Sequence, residues 1–376
     1  MHLVRSVDPG VSLSKRQAER CVARSPLPQS LLAGFLVRGF LIASLLITCL
    51  LVVGCTCRRE STRAGATRLV EQTALPISLS GEVTERWAEI SGLAWYRDHL
   101  IILPQFPERF ADHIFAIPMT RIIAFLDGAN PQPIAPRPVA FVALEVRERV
   151  SHFDGFEAIG FFGDRAFLTI ETKADSTCQA YLVAGSMVPD LSSLTLDLDN
   201  LTAIAPQVNI ANISEEALVV THDRIVTLSE VNGANVNPTP VAHLFDHQLQ
   251  PRGTPSFPTL EYRVTDATAL DADGRFWVLN YFFPPDRDLL PPADDLECTR
   301  FGTGASHAVY PTVERLLELQ LTRHGIERTD KPPVLLQLLN RTTCRNWEGL
   351  VRLDQQGFLL MTDEYPAAIL AFVPFP

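Results

Sequence analysis

From residue 71 onward the apolar positions come in short runs broken by polar turn pairs, the pattern of hairpin strands rather than of helices. The pattern repeats five times. A unit opens on an acid followed by small and apolar residues: Glu89 (EISGLA), Glu157 (EAIGFF), Glu216 (EALVV), Asp266 (DATAL) and Glu348 (EGLVRL). Each opening meets a tight-turn pair: Arg97-Asp98, Gly163-Asp164, His222-Asp223, Asp273-Gly274 and Gln356-Gly357. Behind each turn runs a β-rich stretch: Leu100–Leu103, Ala166–Ile170, Ile225–Leu228, Phe276–Leu279 and Phe358–Met361. Four of these end on a polar residue, Glu171, Glu230, Asn280 or Asp363; the first ends less distinctly, at Pro104-Gln105.

Two further strands are expected in units one to four: 113–118 and 138–144, 179–183 and 201–208, 240–245 and 259–264, 316–322 and 334–339. The stretch 313–321 also carries helical spacing, so strand and helix both stand open there. The fifth unit shows only 368–373, and the run 75–79 supplies its missing strand from the other end of the chain. Units that cannot bury their faces alone stack on one another. The expected fold is therefore all-β: a β-propeller of five four-stranded blades closed by an N-terminal strand, with a six-bladed ring as the alternative. The acid-to-acid spacings of 68, 59, 50 and 82 residues place the length variation in loops.

Composition agrees with that reading. The chain is 47% hydrophobic and 20% charged, enough for a packed core, and its 28 prolines in 376 residues argue against long helices. Charge divides it. Residues 1–58 carry a net +5, which leaves −16 for the rest, a balance that repels a phosphate backbone and excludes nucleic-acid binding. The uncharged stretch 39–54 behind Arg38 reads as the apolar core of an export signal, too short for a spanning helix. It ends in LVVGC at Cys55, similar to a bacterial lipobox, so residues 1–54 are expected to be leader. On that resemblance Cys55 is lipidated, residues 55–70 form a polar tether, and Thr56 directs the protein to the outer membrane. Residues 1–36 are too long and mixed for the start of such a leader, so translation is expected to begin near Leu36 or Val37. The expected location is the bacterial envelope, periplasm-facing, as a monomer held to the membrane by its lipid.

In a propeller the first strand of each blade lines the channel, so Glu89, Glu157, Glu216, Asp266 and Glu348 are expected to ring one mouth. Glu171, Glu230, Asn280 and Asp363 are expected beside them. Bare carboxylates on one axis repel: two unit charges at 4 Å cost about 4 kcal/mol at an effective dielectric near 20. A hard cation with flexible oxygen coordination, Ca²⁺, would relieve this. So would Arg86, Arg263 and Arg345, each three residues before its acid. With a cation present, those arginines and the second-strand polar residues would bind a small anionic substrate. The long segment 281–312 is expected to leave the same face as a lid. It holds His307, the leading acid/base candidate, with His152 as the second. Cys298 in the lid and Cys344 are expected to form a disulfide. There is no nucleophile elbow, P-loop or HExxH, so catalysis would have to be metal-centred.

The segments EISGLA (89–94), GFEAIG (155–160) and NWEGL (346–350) resemble the calcium-dependent six-bladed gluconolactonase-like and paraoxonase-like propellers, and still more the phytase-like group called esterase-like activity of phytase, although five units depart from that family's six. The resemblance covers roughly 80–376 and implies a calcium-binding hydrolase of phosphoesters, esters or lactones. Five-bladed calcium-activated nucleotidases are similar in architecture. A second reading stands beside the enzyme: a non-catalytic envelope propeller that binds a ligand or protein partner, its acids braced by arginine.

Overall fold

The computed structural model describes residues 68–174 and 178–376. The expected leader 1–54, Cys55 and the tether as far as residue 67 lie outside the described residues. Among the described residues no helix is long and apolar enough to cross a membrane.

The fold is all-β. The first sheet of eight strands consists of two four-stranded units joined at their outer strands. The first unit is Ile90–Tyr96, His99–Pro104, His113–Pro118 and Arg137–Val142. The second is Phe153–Phe162, Arg165–Thr172, Ala180–Met187 and Ser193–Ile204. Unit three is Glu215–Val220, Ile225–Ser229, Ala242–Phe245 and Pro251–Gly253. Unit four begins Leu260–Ala267, Arg275–Phe282 and Val313–Leu321, and continues on Val334–Leu336. Unit five is Trp347–Leu353, Gly357–Thr362 and Leu370–Pro374. Its fourth strand is Leu75–Ile77, antiparallel to Leu370–Phe372. Glu71–Gln72 pairs in parallel with Leu335–Leu336, so the N-terminal segment fastens two units.

Strand alternation explains the packing. In His99–Pro104, Leu100 and Ile102 point into the cluster shared with unit five, and Ile101 and Leu103 into the cluster shared with unit two. In Gly357–Thr362, Phe358 and Leu360 face unit four while Leu359 and Met361 face unit one. Further clusters join units two to three and three to four. Sheets buried on both faces read as unbroken apolar runs, which is what made the second strands conspicuous. The opening strands neighbour one another in order, and the fifth returns to the first, so they line a common axis as in a β-propeller.

Three expectations change. The run 259–264 is not the last strand of unit three but the start of the opening strand of unit four, Leu260–Ala267, in which the acid Asp266 lies near the end rather than at the start. The outer strand of unit two is Ser193–Ile204 rather than 201–208. The stretch 313–321 is a strand, paired along its length with Arg275–Phe282.

Candidate functional site

The two inner strands of every unit share one irregularity. Their pairing slips at Ser91, at 157–158, at Glu216, at 265–266 and at Glu348. Such bulges re-aim a side chain. Opposite them, the backbone places Gln105, Glu171, Glu230, Asn280 and Asp363 at one equivalent position, facing Glu89, Gly155, Ser214, Val264 and Asn346. The register therefore puts Ser91, not Glu89, where the other units carry their opening acid. It also puts Gln105 where they carry the second-strand polar residue.

These positions surround a cavity of about 410 Å³ at the channel mouth. Glu157, Glu216, Glu348, Glu171, Glu230 and Asp363 line it, with Asp286 and Glu364 at the edge and Arg263 the one basic lining residue. Gln105 Nε2 donates to Glu157 Oε1 at 2.9 Å. Asn346 Nδ2 donates to Glu348 Oε1 at 2.6 Å and to Asp363 Oδ2 at 3.1 Å. Arg263 forms an ion pair with Glu230 and reaches Asp286 Oδ2 at 2.7 Å. Glu171 Oε2 and Glu230 Oε2 are buried with no hydrogen-bond partner.

Burial, and then mutual repulsion, hold protons on this ring. Burial pushes Glu157 well above the usual carboxylate range, with the charges of Glu171, Glu348 and Asp363 adding to it while Gln105 opposes. Glu216 and Glu348 rise in the same way, Glu216 mainly beside Glu230 and Glu348 mainly beside Asp363. Glu171 and Asp363 are each pushed up to about 7, chiefly by burial. Glu230 rises by burial against the pull of Arg263. The donors are hard oxygens, the set that suits Ca²⁺. Among the described residues no three acid, histidine or cysteine groups stand close enough to hold one ion directly.

Several expected residues lie elsewhere. Glu89 turns toward Arg109, 2.7 Å away. Asp266 sits at the right register, but its carboxyl is used up by backbone: it accepts from Ala267 N at 2.7 Å and Leu350 N at 2.6 Å. Asn280 is wholly buried and bonds the carbonyls of Glu261 and Arg263 and the guanidinium of Arg315. Arg345 pairs with buried Glu314 at 2.8 Å, outside the cavity. Arg86 is exposed and stacks over Tyr365, a residue of the rim. Only Arg263 of the three arginines meets a cavity acid. His307 is a clamp: its Nδ1 lies 2.8 Å from Glu71 Oε1 and its Nε2 accepts from Glu314 N. Burial lowers its pKa. His152 is exposed, with a left-handed backbone (φ 61°). Cys298, exposed on the helix Leu296–Phe301, and Cys344, buried toward the Phe282 carbonyl at the wall of the cavity, are both free thiols, so the expected disulfide is absent. The segment 281–312 reaches the cavity only through Tyr281, Phe283 and Asp286. Beyond them it is fastened by Asp295–Arg315, Glu297–Arg328 and Glu71–His307.

Gln105 and Asn346 are residues of the candidate site that the repeat pattern did not mark as such. Gln105 ends the one second strand that lacks an acid, and Asn346 lies two residues before Glu348, so position within the unit marks both.

No family model matches the chain, and no curated protein sequence does; the phytase-like and gluconolactonase-like resemblance finds no support there. Solved structures are similar in shape. A glycoside hydrolase from Parabacteroides distasonis, itself described as putative, is 11% identical over 83% of this chain and 95% of its own, with a TM-score of 0.42. An exo-1,5-α-L-arabinanase from a bovine ruminal metagenomic library is 9% identical over 78% and 95%, with a TM-score of 0.43. The catalytic domain of a Coprinopsis cinerea GH62 α-L-arabinofuranosidase is 9% identical over 82% and 97%, also at 0.43.

Proposed function

We propose that this chain is a five-bladed β-propeller whose carboxylate-lined mouth takes a divalent cation, Ca²⁺ by its donor chemistry, and hydrolyses a small ester, lactone or phosphoester with it. The observation that carries the reading is the pair of buried, unpartnered oxygens, Glu171 Oε2 and Glu230 Oε2, in a cavity where eight carboxylates, Asp286 and Glu364 included, meet one guanidinium. A buried carboxylate oxygen without a donor is costly, and a cation satisfies it. Glu157, Glu171, Glu216, Glu230, Glu348 and Asp363 would hold the ion through intervening water, since no three of them stand close enough to bind it directly. The breadth of the cavity leaves room for water between ion and side chains. When bound, the ion supplies Lewis-acid polarisation of a carbonyl or phosphoryl oxygen. Gln105 and Asn346 fix the rotamers of Glu157 and Glu348. Arg263, already shared by Glu230 and Asp286, keeps Glu230 oriented rather than serving as an open anion site. We place the protein in the bacterial envelope on the strength of its leader and Cys55.

Calorimetric titration with Ca²⁺, and melting with and without chelator, test the ion. A site occupied at 100 times its Kd stabilises by about 2.7 kcal/mol. No heat of binding and an unchanged melting temperature defeat the cation reading. An ester, lactone and phosphoester panel then tests turnover, with Glu157→Gln as control. Ca²⁺ binding without turnover of any of them leaves a binding propeller.

A further inference from the structure

The channel has a second end. Asp266, bound to Leu350 N, stands between Glu348 above and Val351 below on the neighbouring strand. Beyond it the five opening strands surround another cavity, of about 360 Å³, whose wall is part apolar, with Leu93, Ile159, Leu218 and Val351, and part polar, with Asp271, Arg352, Asp354 and Gln355. That lies within the range of about 300–1,000 Å³ common for small-molecule sites. At its edge is Arg352, whose side chain is 23% exposed. The nearest carboxylate oxygen, Asp271 Oδ2, is 3.9 Å from Arg352 Nη1, beyond hydrogen-bond reach. Asp271 Oδ1 is held by the N–H groups of Asp273 and Arg275 in its own turn. Asp354, the other acid at the edge, is exposed to water. The Arg352 guanidinium, stacked 5.6 Å from the Phe375 ring centroid, therefore stands at the edge of a chamber of mixed polar and apolar lining without a hydrogen-bonded carboxylate.

We propose that this lower cavity binds a small amphipathic carboxylate, its apolar chain among Leu93, Ile159, Leu218 and Val351 and its carboxylate on Arg352. The proposal is independent of the cation at the upper mouth. Calorimetry on the full chain with chelator present, using hexanoate, 1-hexanol and hexylamine, tests it. Hexanoate is expected to bind saturably at one site, about tenfold tighter than hexanol, the scale of one charge-assisted hydrogen bond. Arg352→Met is expected to bring hexanoate down to the affinity of hexanol and leave hexanol unchanged. Ala269→Trp, at an exposed position of the rim, is expected to abolish both while the melting temperature holds. Hexylamine binding tightest, hexanol matching hexanoate, Ala269→Trp leaving hexanoate binding intact, or no saturable binding would each overturn the proposal.

Discussion

Gln105 Nε2 bridges two oxygens of the second unit, Glu157 Oε1 at 2.9 Å and the Asp154 carbonyl at 3.2 Å. The first unit thus gives its register position to steadying the acid of its neighbour. Gly155 makes the contact sterically available: a Cβ there would stand 2.2 Å from Gln105 Cγ, and its φ of +135° suits glycine. Gly155→Ala is expected to displace Gln105 and destabilise the fold by about 1–3 kcal/mol. Gln105→Leu removes the donor with little change in volume and is expected to raise the pKa of Glu157 further. Infrared titration of the carboxyl band in Gln105→Leu checks this; a pKa unmoved or lowered contradicts the assigned role.

The ring predicts an inverted pH dependence for the chelated protein. Glu171 and Asp363 titrate near 7 in the fold against ordinary values of 4.5 and 3.8. Between those limits the folded state binds more protons than the unfolded state, so stability falls as pH rises through the window. Melting temperature in chelator is expected to drop from pH 4.5 to about 7, and Ca²⁺ to flatten the drop. A chelated protein that grows more stable over this window would refute the protonated ring.

Asp266 separates structural acids from cavity acids. Asp266→Ala leaves the N–H groups of Ala267 and Leu350 without their acceptor, each worth about 1–3 kcal/mol when buried. Denaturant melts are expected to show a loss of several kcal/mol, with Ca²⁺ affinity per folded molecule unchanged. Reduced affinity at full folding would return Asp266 to the site.

Much of this architecture was legible in the sequence because the second strands are buried on both faces and read as unbroken apolar runs. The ring of acids was legible as a repeat. Its register in unit one was not, since Glu89 precedes the first strand and Ser91 occupies the bulge; the spacing of a bulge shows only once the hairpin pairing is known. The fates of Arg345 and His307 were hidden for another reason. Their partners, Glu314 and Glu71, lie 31 and 236 residues away, and nothing local marks a long-range ion pair.

The thiols give a direct reading of the segment 281–312. Cys298 is exposed on the helix Leu296–Phe301, whereas Cys344 is buried and burial pushes its thiol up to about 12. A thiolate is the reactive form, so Cys344 is doubly protected, by access and by proton affinity. Under native conditions a thiol reagent is expected to label Cys298 within the mixing time and Cys344, only 3% exposed at the cavity wall, far more slowly. Peptide mapping after brief labelling distinguishes the two sites. Because the segment is fastened by Asp295–Arg315 and Glu297–Arg328, Cys298→Ser is expected to leave stability within about 0.5 kcal/mol of the parent, as for exposed positions generally. A mapped Cys298–Cys344 crosslink in the purified protein, or a large loss of stability in Cys298→Ser, would show instead that a disulfide fastens this segment.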